Sequence, residues 1–403
     1  MKRRIKLPLA LALLLLALAA CRETPEAAAG ADRAFNHYVN GQARNTQDVV
    51  YFLHGNLICY TDKTTGVSGP LCGKPECGHS DQTCNAYAGG IAYAMDIYQG
   101  RLYWLAWSYD GGYEIFSAEP DGTARRTVRG VKDERIGGHT GGWEAVFYEG
   151  YMFLSVMTYE IRDGAEAASY CVFAFPLDAE EEPILIRRQE LDALAAGGVP
   201  GGSPLMTIQA YHGSLYMISN HAAGLSDPSN IESPAFFDLE ISRWDLDTKE
   251  FTTLYHEAET DLHYTVECWV TDDGVMFWGE DQSEHHRNIY RFDFAGGGIE
   301  ALFPADPAFP AFADGLVGAA LYRDGVLKVV LRDFEGNIRL EGEYPLESSF
   351  QTLTLFAADE DRAYLIGASH LTDGGAVYAT RYTIAAVALD GGGIQVTSAE
   401  LPR

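Results

Sequence analysis

Three thiols and one imidazole stand close together at Cys72, Cys77, His79 and Cys84, in the stretch LCGKPECGHSDQTCN at residues 71 to 85. As thiolates and a neutral imidazole they form a chemically sufficient tetrahedral set for zinc. The spacing C-x4-C-x-H-x4-C is not a common zinc pattern, and outside a reducing compartment cysteines tend to pair instead. Cys59 offers a further thiol near Cys72, and four cysteines allow three pairings. A structural zinc, a disulfide staple and free thiols are therefore three readings of one knuckle, and all three are structural. A catalytic zinc needs an open coordination position and a positioned base, which nothing nearby supplies.

Other groups carry weaker signals. Glu284, His285 and His286, next to Asp281, can present metal ligands from a loop, but a solvated polar loop is the better reading, since adjacent histidines point apart unless the loop is tightly folded. Cys171 and Cys268 sit in the apolar runs SYCVFAF and TVECWV and read as buried thiols. Ser108 to Gly112 partly matches the Asp-box of sialidase-like propellers, but its closing aromatic falls one place late, at Phe116, which disfavours that activity. The sequence contains no G-x-S-x-G elbow, no H-E-x-x-H, no EF-type calcium loop and no phosphate-cradling loop, so no catalytic residue is assigned.

The N-terminus places this chemistry in a compartment. A basic start, an apolar run from Leu7 to Ala20 and small residues before Cys21 form a secretory signal. Leu18-Ala19-Ala20-Cys21 resembles the lipobox of bacterial lipoproteins, so Cys21 is expected to become a diacylated first residue anchored to the cell membrane from outside the cytoplasm. Residues 1 to 20 are then the signal, 21 to 34 a flexible tether, and 35 to 403 the folded part. The formal charge of -28 makes nucleic acid an improbable partner.

The elements that must carry these groups are strands. A step of Gly or Asp, any residue, an apolar residue and usually an aromatic recurs at Asp48–Tyr51, Gly100–Tyr103, Gly150–Phe153, Gly213–Tyr216, Gly274–Phe277, Gly325–Lys328 and Asp361–Tyr364. Each copy sits among short alternating strands and turn residues, and no segment after the signal has a convincing helical period. In the second unit, Ile91 to Tyr98, Leu102 to Trp107, Tyr113 to Ala118 and Ala124 to Val128 read as four antiparallel strands, which is a propeller blade. The expected fold is all-β, a single β-propeller of seven four-stranded blades. Its first inner strand, sought at Asn36 to Val39, is weak enough to leave six or eight open.

The second unit, GRLYWLAWSYDGGYEIFSAEPDGTARRTV, resembles the YWTD-type and TolB-like propeller repeats. Together with the lipobox and the Cys/His knuckle, the aromatic blades also resemble a group of bacterial surface lipoproteins of unknown function. The resemblance implies architecture and location, and no activity.

In an antiparallel blade the second-to-third loops and the blade connectors emerge on one face. That face should hold long loops at Tyr159 to Ala168, Asn220 to Phe237, Glu280 to Arg287, Pro304 to Asp314 and His370 to Gly375. Trp107, Tyr109, Tyr159, His221, Phe236 and Phe237 are candidate contacts there, joined by His285 and His286. The expected role is a non-enzymatic binding or scaffold module for a glycan, peptide or protein partner. The alternative is an extracellular carbohydrate-active hydrolase or lyase acting at the channel mouth.

Overall fold

The structure, a computed structural model, describes residues 43–402 apart from 109–111, 132–139, 163–164, 179–180, 192–204, 226–234, 282–285, 306–309, 347–352 and 374–375. Cys21, Tyr109 and His285 lie outside the described residues, as does the segment 36–39.

Seven four-stranded antiparallel sheets follow one another along the chain as the blades of a propeller. The first runs through Ala43–Asn45, Val49–His54, Leu57–Asp62 and Ser68–Pro70, and the second through Ile91–Tyr98, Arg101–Ser108, Gly112–Ala118 and Arg126–Val131. The other five span 140–191, 205–260, 262–304, 311–345 and 354–402. In every blade the first strand touches the first strands of both neighbours, so it is the innermost and lines the axis. The inner strand of the first blade is Ala43–Asn45, only three residues long and later in the chain than the expected Asn36 to Val39. The sixth aromatic step is also displaced. Gly325–Lys328 opens the third strand of its blade, whereas the second strand follows the Asp314-Gly315 turn at Leu316–Arg323.

Strict alternation builds the core. Along Arg101–Ser108, Leu102, Trp104 and Ala106 face the first blade while Tyr103 and Leu105 face the third. A blade therefore has two apolar faces and no outer solvent layer except at its rim, which is why the core is a series of blade-to-blade sandwiches and no blade can bury its faces alone. The turns between third and fourth strands repeat one device. The Asp62 carboxylate accepts the amides of Thr64 and Thr65, Asp121 that of Thr123, and Asp245 those of Asp247 and Thr248. Such Asx turns pre-form the reversal at each blade's outer edge.

Among the described residues the last blade and the first exchange no strand, and they meet through side chains. Asp359 accepts hydrogen bonds from Lys63 at 3.0 Å and Tyr364 at 2.7 Å, and the Lys63 ammonium lies 4.1 Å from the centre of the Tyr364 ring. Phe52 and His54 pack their rings against Tyr382, each at 5.1 Å. Among the described residues no helix is long and apolar enough to cross a membrane.

Candidate metal centre and raised rim

The knuckle hangs from the outer edge of the first blade. The Leu71 amide donates to the Ile58 carbonyl at 2.9 Å, and the Ile58 amide donates to the Ala86 carbonyl at 2.8 Å, so both legs of the excursion are tied to one residue of the strand Leu57–Asp62. The returning leg continues with Ala88 to Asn56 at 2.7 Å before entering the second blade. Two tight turns shape the tip. The Cys77 amide closes onto the Lys74 carbonyl, the Cys84 amide onto Asp81, and Asp81 caps its own turn through the amide and hydroxyl of Thr83. His79 takes a left-handed backbone conformation, φ 52°, which turns the chain sharply within the tip.

These turns bring the Sγ atoms of Cys72, Cys77 and Cys84 and a ring nitrogen of His79 all within 4.8 Å of one another, a cluster that could hold a metal ion. His79 Nδ1 lies 3.4 Å from Cys84 Sγ. Cys59 is fully buried outside this set of four, and the described cysteines are unbridged. The surroundings act in opposite directions on two of the thiols. Burial opposes ionisation of Cys72, but amide hydrogen bonds from Lys74 and Asn85, with bonds from Cys77 and Cys84, bring its pKa below the ordinary thiol value. Cys84 is pushed up to about 11, first by burial and further by its thiol neighbours, against the amide of Ala86. Packed thiols of this kind compete for one negative charge unless a cation shares them, and amides aimed at sulfur are the outer support that metal-bound thiolates require. Three sulfurs and one nitrogen suit a tetrahedral, borderline-soft cation.

The second blade grips the knuckle from the far side. Arg125 donates to the carbonyls of Gln82, Cys84 and Tyr87, and Trp104 donates its Nε1 proton to Ala88 at 2.7 Å. Gly122, at φ +79°, comes so close that a Cβ there would meet the Leu71 carbonyl oxygen at 2.7 Å. The knuckle thus joins two blades, as its position between them in the sequence leads one to expect.

At the ring face where second strands end and third strands begin, the expected loops at Tyr159 to Ala168 and His370 to Gly375 are paired hairpins. Tyr151–Arg162 pairs with Ala165–Pro176 up to the Arg162–Ala165 pair, and Arg362–Asp373 pairs with Ala376–Ala388 up to Asp373–Ala376. Ser214–Leu225 and Ala235–Asp245 form a third long pair in the fourth blade. The expected loop at Pro304 to Asp314 contains the sixth blade's inner strand, Ala311–Ala313. Strands of 12 residues in the third, fourth and seventh blades stand against 8 in the second, fifth and sixth. At about 3.3 Å per residue, three hairpins rise roughly 13 Å above the rest of that face.

The described aromatic and histidine candidates are spread over the second to the fifth blades. Trp107 is half-buried, His286 exposed and Phe236 half-buried, while Tyr159 belongs to the third-blade hairpin. Phe237 is 3% exposed and stacks on His263 at 4.6 Å, which makes it packing between the fourth and fifth blades. His221 is drawn into a chain across the third and fourth blades: Gln189 Nε2 lies 3.2 Å from its Nδ1, and Asp238 sits between it and His256, whose Nε2 is 2.8 Å away. Cys171 and Cys268 are buried, as their apolar strands predict.

Residues that sequence reasoning passed over stitch the inner strands together. Glu144 accepts the Ile208 amide at 3.0 Å, Gln209 the Val270 amide at 2.6 Å and Asp314 the Ala358 amide at 3.0 Å, each a bond to the next blade. Arg44 and Asp96 make a buried ion pair at 2.9 Å between the first two blades. The signal available was a single charged or amide residue inside an otherwise apolar strand, as in WEAVFY and TIQAY.

No family model matches the chain. The curated proteins give no match either. Among solved structures, the chain is similar to a protein from a study of two prolyl endopeptidases, with a TM-score of 0.54, 10% identity, and coverage of 92% of this chain and 50% of that one. It is also similar to a puromycin hydrolase, at 0.51, 15% identity, 91% and 53%. Against TolB from Acinetobacter baumannii the values are 0.37, 14%, 90% and 80%. The chain spans about half the length of the first two. At these identities the likeness concerns the fold alone; the seven four-stranded sheets define the class as a seven-bladed β-propeller.

Proposed function

We propose that this chain is a lipid-anchored, extracytoplasmic binding module, which presents one raised face of the ring to a glycan, peptide or protein partner and carries zinc in the Cys/His knuckle as a structural clamp. The observation that supports the binding role is the unequal length of the hairpins. Three blades continue about four residues past the others at the same face, and rigid paired strands standing above a scaffold hold contact residues at little entropic cost. Zinc is supported by the donor set and by the amides aimed at Cys72 and Cys84. Attachment to the membrane rests on Leu18-Ala19-Ala20-Cys21.

The test shortens the third-blade hairpin by joining Thr158 to Ser169, which are register partners, through an Asn-Gly turn. The full lipidated chain should capture material from solubilised envelope that the shortened chain, at unchanged melting temperature, does not. Equal capture by both would remove the rim from the account. Cleavage of an added polysaccharide by the wild type alone would instead make the rim an enzyme's substrate site.

A further inference from the structure

At the opposite end of the ring, between the fourth and fifth blades, a cavity of about 220 Å³ is lined by Tyr216, Arg243, Leu254, Phe292, Phe294 and Gly297. Aromatic rings make its walls. Tyr216 and Phe294 lie nearly parallel, 5.5 Å between centres and 23° between planes, and Phe292 meets Phe294 edge-on at 5.9 Å. Phe292 is 2% exposed and Tyr216 8%, so these walls are fixed by the blade-to-blade core behind them.

One cation faces this cleft. Arg243 is the register partner of Tyr216 on the adjacent strand, and its positive charge works against the burial that raises the Tyr216 hydroxyl pKa. Among the described residues it forms no ion pair, whereas Arg44, Arg101, Arg187, Arg287 and Arg291 each find a carboxylate. Its acidic neighbour Asp245 spends its carboxylate on the amides of Asp247 and Thr248 and on the Thr248 hydroxyl, and feels Arg243 only as a more distant charge. Arg125 and Arg129 also pair with no carboxylate among the described residues, but they are spent on backbone carbonyls, whereas Arg243 lines an open cleft where its fork can take a carboxylate from outside.

We infer that this cleft binds a small aryl carboxylate, with the ring against Phe292 and Phe294 and the carboxylate on the Arg243 fork beside the Tyr216 hydroxyl. The size agrees, because a dry cavity of about 150 Å³ already admits benzene. The chemistry agrees as well. Aromatic walls reward a flat ring, and a planar guanidinium takes a carboxylate with two parallel hydrogen bonds.

Phenylacetate is the probe and phenylacetamide, with the same ring and reach but no charge, is the control. Saturation-transfer NMR on the full folded chain should show the phenylacetate ring receiving magnetisation, and titration should show phenylacetamide binding about ten-fold more weakly. Arg243→Gln should bring phenylacetate down to the level of the amide, and Phe294→Ala should weaken both ligands alike. If Arg243→Gln melts at a lower temperature, the ratio of the two ligands on the wild type decides alone. No saturation at millimolar ligand, equal affinity for the two ligands, or unchanged phenylacetate binding by a fully folded Arg243→Gln chain would each overturn the assignment. Because the cleft and the raised rim are at opposite ends of the ring, failure here leaves the rim untouched.

Discussion

The guanidinium of Arg125 donates to the carbonyl oxygen of Cys84 at 3.2 Å, across 41 residues of sequence, so the second blade holds a thiol-bearing turn of the knuckle directly. Short connectors between blades need no such grip. This one follows the shortest blade of the ring, whose first and last strands have three residues each, and it supplies hydrogen bonds that those strands are too short to make.

Arg125→Ala should therefore destabilise the whole ring. Three carbonyl contacts to a cation are lost together, and the expected cost is about 2 to 4 kcal/mol in chemical denaturation. Arg125→Lys should recover only part of it, because an ammonium cannot span three carbonyls with the geometry of the fork. A loss of a few tenths would mean that the knuckle holds its shape without the second blade.

Glu144 gives a pH dependence with a definite sign. Burial holds its carboxyl well above the ordinary range, and the Ile208 amide offsets this only in part. The folded chain then binds this proton more tightly than the unfolded one. The contribution is fully present below the unfolded carboxylate pKa, about 4.3, and is lost as pH rises through the higher folded value. Glu144→Gln keeps an oxygen for the Ile208 amide and removes the titration. The variant should match the wild type near the acid end of this window and exceed it at pH 8, read as urea midpoints. A wild type that gains on the variant as pH rises would contradict the reading.

Among the described residues the first and last blades share no strand, which makes the seam at Asp359 a weak point. Asp359→Ala removes the acceptor shared by Lys63 and Tyr364, and a loss of about 1 kcal/mol is expected for so exposed a group. Limited proteolysis of the variant should then cut first in the first blade or the seventh. The wild type, as one cooperative array, should give no stable half. Two stable halves from the wild type would contradict a single ring.

Cys21→Ala should shift the chain from the membrane fraction to the soluble fraction, and mass spectrometry of the wild type should find acyl chains on Cys21. A variant that stays membrane-bound, with an unacylated wild type, would end the lipoprotein proposal.

Much of this architecture is legible in sequence because a blade is a local object. Gly100–Tyr103 and Gly213–Tyr216 mark a turn and the strand after it, and alternation along Leu102 to Ala106 already separates the two blade faces. The sixth blade misled because Gly325-Val-Leu repeats the same local step one hairpin later, and only pairing distinguishes Leu316–Arg323 from Val326–Asp333. The raised hairpins read as loops in sequence because small and polar residues such as those in TYEIRDGAEAAS carry no regular apolar alternation. The knuckle's candidate ligands were visible as residue types. Its grip by Arg125 was not, since no local pattern tells an arginine in a turn that carbonyls of the preceding blade will stand within reach. Phe237 failed as a surface candidate for the same reason: its partner, His263, belongs to the next blade.

Metal analysis combined with thiol counting tests the central claim, that Cys72, Cys77, His79 and Cys84 form a metal clamp between the first two blades. Chain purified without chelator should carry one zinc per molecule, and Cys59, Cys72, Cys77, Cys84, Cys171 and Cys268 should all react with a thiol reagent under denaturing, non-reducing conditions. Cys72→Ser combined with Cys84→Ser should abolish the zinc and lower the melting temperature together. Native chain free of metal, with two or more of Cys59, Cys72, Cys77 and Cys84 blocked as disulfides, would contradict the clamp as a metal site.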